Sequence, residues 1–196
     1  MRYIRVLLFF MFFVGCTGDI SKKVPEFRLI KRFSSQLKNE QGLVLWCYGI
    51  NDNDPDYYQR KRKNGVTNYS VDYALYKTQN DVVSLEEARC LLVSVVESFL
   101  NEINSDPEVR KNLDVYPFPS KLLTVGVSFV DENGWDRGNG GISGARLYEG
   151  KIRYERYEIY EYTPPAIDGK HFDVHKESYE EALDIVKSQG CLHLFK

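Results

Sequence analysis

Residues 84–103 read SLEEARCLLVSVVESFLNEI, and this stretch decides the fold. Ser84 and Glu87 form a capping box, in which each side chain bonds a free backbone N–H at the start of a helix. The apolar residues that follow recur at intervals of three or four and cover nearly half of the helix circumference: Leu85, Ala88, Leu91, Leu92, Val93, Val95, Val96, Phe99, Leu100 and Ile103. So wide an apolar face predicts a helix that lies across a sheet.

Two segments flank this helix in which apolar and polar residues alternate, as they do in strands. Residues 69–75 precede it and residues 123–129 follow it, and in both every second residue is apolar. Residues 43–50 form a continuous apolar run, which predicts a buried strand paired with residues 69–75 in a hairpin that has a long loop.

Shorter patterns complete the domain. Phe27, Ile30, Phe33 and Leu37 predict a first helix that ends before Gly42. Asp106 and Pro107 predict a short helix after the long one, and Ser178 with Glu181 repeats the capping box before a last helix. Glycine-rich residues 133–144 read as a connection, in which neither a P-loop nor a dinucleotide motif is complete.

A strand is predicted over residues 151–163, after a turn at Glu149-Gly150. Its apolar residues change face, which indicates a bulge or an exposed edge. These elements predict an α+β fold, in which an antiparallel sheet of about five strands carries helices on one face. We expect a single domain over residues 26–196, because one core commonly serves about 100 to 200 residues.

Composition and charge favour a folded protein over a nucleic-acid binder. Hydrophobic residues make up 43% of the chain and charged residues 28%, which is enough for both a core and a soluble surface. The formal net charge is −2, whereas a protein that contacts nucleic-acid phosphates needs a basic face. No nucleic-acid partner and no cofactor is predicted.

The N-terminus has the pattern of an export signal. Arg2 and Arg5 precede nine apolar residues, 6–14, and then Gly15 and Cys16. Nine residues are too few for a transmembrane helix, which needs roughly 20.

Residues 13–16, Phe-Val-Gly-Cys, resemble the lipobox of bacterial lipoproteins. The resemblance implies a signal peptide over residues 1–15, cleavage before Cys16, and acyl chains on the Cys16 thiol and amine. Residues 16–25 would then be a lipidated tether. Several chains anchor a protein stably, since each buried methylene contributes about 0.8 kcal/mol. By the sorting rule known for lipoproteins of bacteria with two membranes, the resemblance also implies that Thr17, rather than an aspartate after the cysteine, favours the outer membrane over the inner one.

An ordinary signal cleaved after Gly18 is the alternative, because Cys16 and Gly18 also have a small-x-small spacing. Beyond Cys16 the chain has Cys47, Cys90 and Cys191, which allow one disulfide and one free thiol. The apolar run around Cys47 predicts that this thiol is buried. Helical phase predicts that Cys90 is the more exposed one.

His171, Asp173 and His175 are the best candidate metal ligands, because an extended backbone places alternate residues on one face. The three lie about 6 to 7 Å apart along a strand, too far to converge readily on one ion. Residues 52–56 carry three aspartates in the spacing of a calcium loop but lack its glycine and glutamate. The basic run 60–63 reads as a solvated loop or a contact with anionic lipid.

Tyrosines around residues 148–162 predict a contact surface for a partner, with Tyr154, Tyr157 and Tyr160 as its central residues. We therefore expect a lipid-anchored envelope lipoprotein without enzymatic activity, which binds or organises an envelope protein or a glycan. No catalytic residue is assigned. The alternative is a metal-dependent periplasmic hydrolase that uses His171, Asp173 and His175.

Overall fold

In the computed structural model of the chain, the long helix predicted from residue 84 onward is present and lies at the centre of the fold. The structure describes residues 25–51, 70–79, 81–113, 115–134, 140–163, 166–193 and 195. Both hydrogen bonds of the predicted capping box form, since the Glu87 N–H donates to Ser84 Oγ at 3.2 Å and the Ser84 N–H donates to Glu87 Oε2 at 2.8 Å. The residues that the helix buries completely include Ala88, Leu92, Val93, Val95 and Val96.

Four helices and six strands lie within the described residues. They follow one another as α1 (Pro25–Gln41), β1 (Leu43–Asn51), β2 (Ser70–Thr78), α2 (Leu85–Ser105), α3 (Pro107–Arg110), β3 (Leu123–Val130), β4 (Gly144–Tyr148), β5 (Lys151–Thr163), β6 (Ala166–Ser178) and α4 (Tyr179–Gln189). A short 3-10 turn, Ser120–Leu122, leads into β3. The second predicted capping box is also present, at Ser178 and Glu181, where it begins α4.

The six strands form one sheet in the order β1-β2-β3-β4-β5-β6. Neighbours are antiparallel except β2 and β3, which are parallel because α2 carries the chain from the end of one strand back to the start of the next. The predicted α+β fold with a mostly antiparallel sheet is confirmed. The sequence prediction missed the parallel pair and also β6, which makes six strands rather than about five.

The helices pack on one face of the sheet, as predicted. On that face α1 contacts β1, α2 contacts β3 and β4, and α4 contacts β5 and β6. The strand residues that point toward the helices are almost fully buried, among them Tyr73, Leu75, Val125, Leu147 and Ile152. No helix of the described part of the chain is both long enough and apolar enough to span a membrane.

Three aromatic rings join α1, β2 and α2 at the centre of the core. The Phe99 ring centroid lies 5.3 Å from that of Phe33 and 5.5 Å from that of Tyr73. The Tyr73 hydroxyl shares a 2.6 Å hydrogen bond with Ser34, and burial raises the pKa of Tyr73 to about 12. The phenol therefore stays neutral, and the ring cluster fixes α1 and α2 against the same strand.

Strand β1 lies at one edge of the sheet, and its predicted complete burial is wrong. Leu43 is buried, but Trp46 is 72% exposed and Cys47 is an exposed free thiol. A strand at an edge has a partner on one side only, and here the helices cover only one of its faces. An apolar run alone does not reveal either condition.

The C-terminal segment is bound to α2 by covalent and hydrogen bonds. Cys90 and Cys191 form a disulfide with their Cα atoms 5.8 Å apart, so Cys90 is not the exposed thiol that helical phase predicts. The backbone N–H groups of His193 and Phe195 donate to the Ser94 and Ser98 hydroxyls at 3.1 and 2.9 Å. These bonds satisfy backbone groups that would otherwise be left without partners at the end of the chain.

Breaking the disulfide should destabilise the domain strongly. The bridge joins residues 101 positions apart, and closing a loop of about 100 residues is worth up to about 4.7 kcal/mol in the chain-entropy description. We expect Cys90→Ser to lower the free energy of unfolding by about 2 to 5 kcal/mol in urea titrations. Cys47→Ser is the matched control and should leave the urea midpoint unchanged. Equal midpoints for the two variants would contradict the expectation.

Candidate functional site

The face of the sheet opposite the helices carries a groove. Side chains alternate between the two faces of a strand, so the neighbours of the core residues point away from the helices. We call this site the open-face groove. It has a volume of about 560 Å³, and its lining includes Trp46, Cys47, Ala74, Thr124, Gly126, Ser128, Gly144, Arg146, Glu155 and His171. All six strands contribute residues to its lining.

The floor of the groove is flat because its residues are small. In the register of the sheet, Cys47 lies beside Ala74, Ala74 beside Gly126, and Gly126 beside Arg146. A Cβ atom added to Gly126 would meet no atom within 4 Å, so packing does not require glycine there. Glycine within a strand weakens it and is often found where a ligand or another backbone approaches closely.

A β-bulge forms one wall of the groove. Leu45 pairs with Leu75 while Cys47 pairs with the adjacent Ala74, so Trp46 is an extra residue in β1. The bulge lets Trp46 and Cys47 both line the groove, although they are consecutive in the chain. The Trp46 indole also borders a second depression of about 380 Å³ on the same face. A large, exposed aromatic side chain therefore stands between two concave surfaces.

Charged residues form the opposite wall. Arg146 and Glu155 line the groove from β4 and β5, and His171 lines it from β6. The His171 Nδ1 atom lies 3.6 Å from Glu155 Oε2. His171 also lies beside Tyr157, with 4.9 Å between the ring centroids. This wall can donate and accept hydrogen bonds and carries charges of both signs.

The predicted tyrosine surface is only partly at the surface, and the prediction for Tyr154 is wrong. Tyr154 is completely buried and belongs to the core, since Ile152 and Tyr154 face the helices. Tyr157 is half-buried on the open face, where its ring packs over Gly169. The side chain of Tyr160 lies outside the described residues. Strand β5 is internal, and the edge beyond it is β6.

The predicted metal trio is divided between the two faces, so the expected shared face is wrong. Tyr154 pairs with His175 and Glu155 pairs with Asp173, which leaves Val174 as an extra residue in β6. His171 and Asp173 consequently lie on the open face, whereas His175 faces the helix side beside Tyr154. Among the described residues no three His, Cys, Asp or Glu side chains are grouped to hold a metal ion.

A buried charged network lies on the helix side. Arg89 Nε donates to Glu177 Oε1 at 2.8 Å, and the Tyr154 hydroxyl donates to the same oxygen at 2.5 Å. His175 Nε2 lies 3.4 Å from the other oxygen. Burial disfavours the charged form of Glu177, but the hydrogen bonds from Arg89 and Tyr154 outweigh it and lower the pKa of Glu177.

This network has the perturbed pKa values often found at active sites, yet its position indicates a structural role. The side chains of Arg89 and Glu177 are only 8% and 6% exposed, and neither lines the open-face groove. Burial, followed by the nearby carboxylate, also raises the pKa of Tyr154. The three groups therefore stay in their ordinary protonation states and join α2 to β5 and β6.

Other features predicted from the sequence either lie away from the groove or fall outside the described residues. Gly141 packs against the backbone of Val83, where an added Cβ would lie only 2.9 Å from its N and O atoms. Its role is close packing, in keeping with the connection predicted there. The acidic and basic runs at 52–56 and 60–63, and Cys16 with its signal, lie outside the described residues.

Sequence reasoning missed the groove because it arises from residues distant in the chain. The sequence placed Trp46 in a buried apolar run and gave no indication that Arg146 shares a surface with it. One signal was present, since Gly126 occupies one of the intervening positions in the alternating strand 123–129. An isolated glycine in a strand suggests a bulge or a close approach to the backbone.

Comparisons with protein-family models, with curated proteins and with solved structures find no match for this chain. A function therefore has to be argued from the open-face groove and from the chemistry of its residues.

Removing the charge of Glu177 should destabilise the fold, because it leaves Arg89 buried without a counter-ion. We expect Glu177→Gln to lower the free energy of unfolding by about 3 to 5 kcal/mol at pH 7. Glu108→Gln is the control, since the Glu108–Lys111 ion pair is exposed and should contribute less than about 1 kcal/mol. Urea titrations measure both, and similar losses in the two variants would contradict the structural role.

The stabilisation of the fold by the Glu177 carboxylate should depend on pH. The folded-state pKa of Glu177 lies below its ordinary value of 4.5, so its contribution is complete above about pH 4.5. The contribution is lost as the pH falls through the folded-state pKa. The stability difference between the parent and Glu177→Gln should therefore shrink in acid. A difference that grows on acidification would contradict the assignment.

Proposed function

We propose that this protein is a lipid-anchored binding module of the bacterial cell envelope, and that it holds its ligand in the open-face groove. The groove is the observation that carries the proposal. Its volume of about 560 Å³ lies within the range of about 300 to 1,000 Å³ that is usual for ligand sites. A concave surface with one aromatic wall and one charged wall is suited to binding.

Two further observations support an extracytoplasmic location. Residues 13–16 resemble a lipobox at the end of a short apolar segment, with Phe13 in place of the usual leucine. The Cys90–Cys191 disulfide belongs in an oxidising compartment, because disulfides are rare in the reducing cytosol. Anchoring through Cys16 would place the domain close to the membrane on a short tether of residues 16–25.

We propose binding rather than catalysis because the side chains that line the groove are suited to recognising a ligand. The wall residues Arg146, Glu155 and His171 offer donors and acceptors, and the floor is flat and uncharged. The metal-dependent hydrolase has no geometric support, since His175 lies on the face opposite His171. Tyr157, rather than Tyr154, is the predicted contact residue that remains on the same face as the groove.

The anchor is tested by the mass of the mature N-terminus. We expect a fragment that begins at Cys16 and carries acyl chains on both the thiol and the amine. Cys16→Ser should abolish acylation and release the protein from the membrane fraction. A free N-terminal Asp19 would overturn the anchor in favour of ordinary cleavage after Gly18.

Occupancy of the groove is tested with Cys47, which lines it and carries the one free thiol of the described residues. We expect maleimide to label Cys47 at least severalfold more slowly in isolated envelopes than in the detergent-purified full chain, because a bound ligand covers it. The control is Lys111→Cys on a Cys47→Ser background, since the Lys111 side chain is 68% exposed on the helix side. Its labelling rate should be equal in the two preparations. Equal rates at Cys47 as well would overturn the binding role.

A further inference from the structure

We propose that the open-face groove binds an acidic oligosaccharide, with a sugar ring stacked on Trp46 and a carboxylate held by Arg146 and Arg153. This inference rests on the proposed binding function and names its ligand class. Three features carry it, namely two arginines that have no counter-ion among the described residues, an exposed aromatic wall, and a floor that suits sugars better than other ligand classes.

The cations are the first feature. Arg146 and Arg153 are direct cross-strand partners in β4 and β5, so their side chains leave the same face of the sheet side by side. Both are exposed, and among the described residues neither guanidinium forms an ion pair. Like charges directly opposite each other destabilise a sheet. A bound anion relieves this repulsion, and a carboxylate matches the planar fork of a guanidinium.

The aromatic wall is the second feature. Trp46 stands on β1, three strands away from β4, which corresponds to roughly 14 Å across the sheet at ordinary strand spacing. Its indole is 72% exposed because the bulge removes it from the regular pairing of β1. An exposed indole offers a flat apolar surface with one polar N–H. The flat face of a sugar ring fits such a surface, while its hydroxyls remain free to bond.

The floor between these walls supplies the third feature. Ala74 and Gly126 keep it low, and the Ser128 and Thr124 hydroxyls give it hydrogen-bonding capacity. A ligand that lies here meets small side chains and hydroxyl groups rather than a deep apolar cavity. Sugar hydroxyls can be satisfied on such a surface, whereas an acyl chain would gain little from it.

The sheet also argues against a peptide in this groove. A peptide that extends a sheet needs an edge with unpaired backbone groups. The floor strands β2, β3 and β4 are paired on both sides, so their backbone N–H and C=O groups already form hydrogen bonds within the sheet. Nucleic acid is disfavoured because it carries a phosphate at every residue, so some phosphates would lie against Glu155 and Asp173, which pair directly on the same face. An oligosaccharide with a single carboxylate can place that charge at Arg146 and Arg153 instead.

The first test is a glycan array that presents uronate- and sialate-containing oligosaccharides beside neutral ones, probed with the full chain in detergent. We expect the acidic members to bind strongly and the neutral ones weakly. Calorimetry then compares the strongest acidic ligand with its carboxyl-reduced form, which should bind roughly 10- to 100-fold more weakly. Equal binding of the neutral form, or no glycan binding at all, would overturn the proposal.

The variants connect binding to the groove. Trp46→Ala and the double variant Arg146→Gln/Arg153→Gln should each weaken binding of the acidic glycan by roughly 10-fold or more. The double variant should leave the weak binding of the carboxyl-reduced form unchanged. The control Lys111→Gln removes an exposed charge on the helix side and should bind like the parent. Undiminished binding by both groove variants would overturn the assignment.

The variant Gly126→Val tests glycan binding without disturbing the fold. The added side chain meets no protein atom near its Cβ, and valine favours an extended strand, so the melting temperature should not fall. The valine nevertheless occupies the floor, and glycan binding should be lost. A variant that folds normally and binds normally would overturn the proposed position of the ligand.

The two proposals fail in different ways. If the array shows no glycan binding but Cys47 is protected in envelopes, the acidic glycan is refuted and the proposed binding function is retained. A silent array without that protection would refute both. A lipid or a peptide found in the groove of protein extracted from envelopes would likewise refute the glycan.

Discussion

Burial of one broad apolar face of α2 against the middle of the sheet is the interaction on which the rest of the structure depends. Phe99 brings α2 into contact with Phe33 and Tyr73, which ties α1 and β2 to the same centre. Because α2 also connects β2 to β3, those strands must run parallel. With every helix that contacts the sheet on that one face, the opposite face of the described sheet remains free to form the groove.

The parts of the fold that the sequence predicted are those that depend on local chemistry. The capping boxes at Ser84 and Ser178 involve residues three positions apart, and both form as expected. The helical spacing of apolar residues follows from 3.6 residues per turn, so α1, α2 and α4 were all predictable. The α+β class followed from these helices and from the alternation in β2 and β3.

The parts that escaped prediction depend on pairing between distant residues. Strand β6 is largely polar, and apolar and polar residues alternate only over 171–175 of its thirteen residues, so most of it lacks the pattern of a strand covered on one face. The bulge at Trp46 is defined only by the register of β1 against β2, and the extra Val174 only by that of β6 against β5. A one-residue change of register moves side chains to the other face, which is why the histidine pair separated and the groove was missed.

The Cys90–Cys191 bridge is also a consequence of the folded sheet. Cys47 is closer to Cys90 along the chain than Cys191 is, so loop-closure entropy would favour the Cys47–Cys90 pairing in an unfolded chain. In the finished fold Cys47 lies on the open face and Cys90 on a helix behind the sheet, and the strands between them keep the two thiols apart. The folded sheet therefore selects the Cys90–Cys191 pairing, because Cys47 can reach Cys90 only while the chain is unfolded.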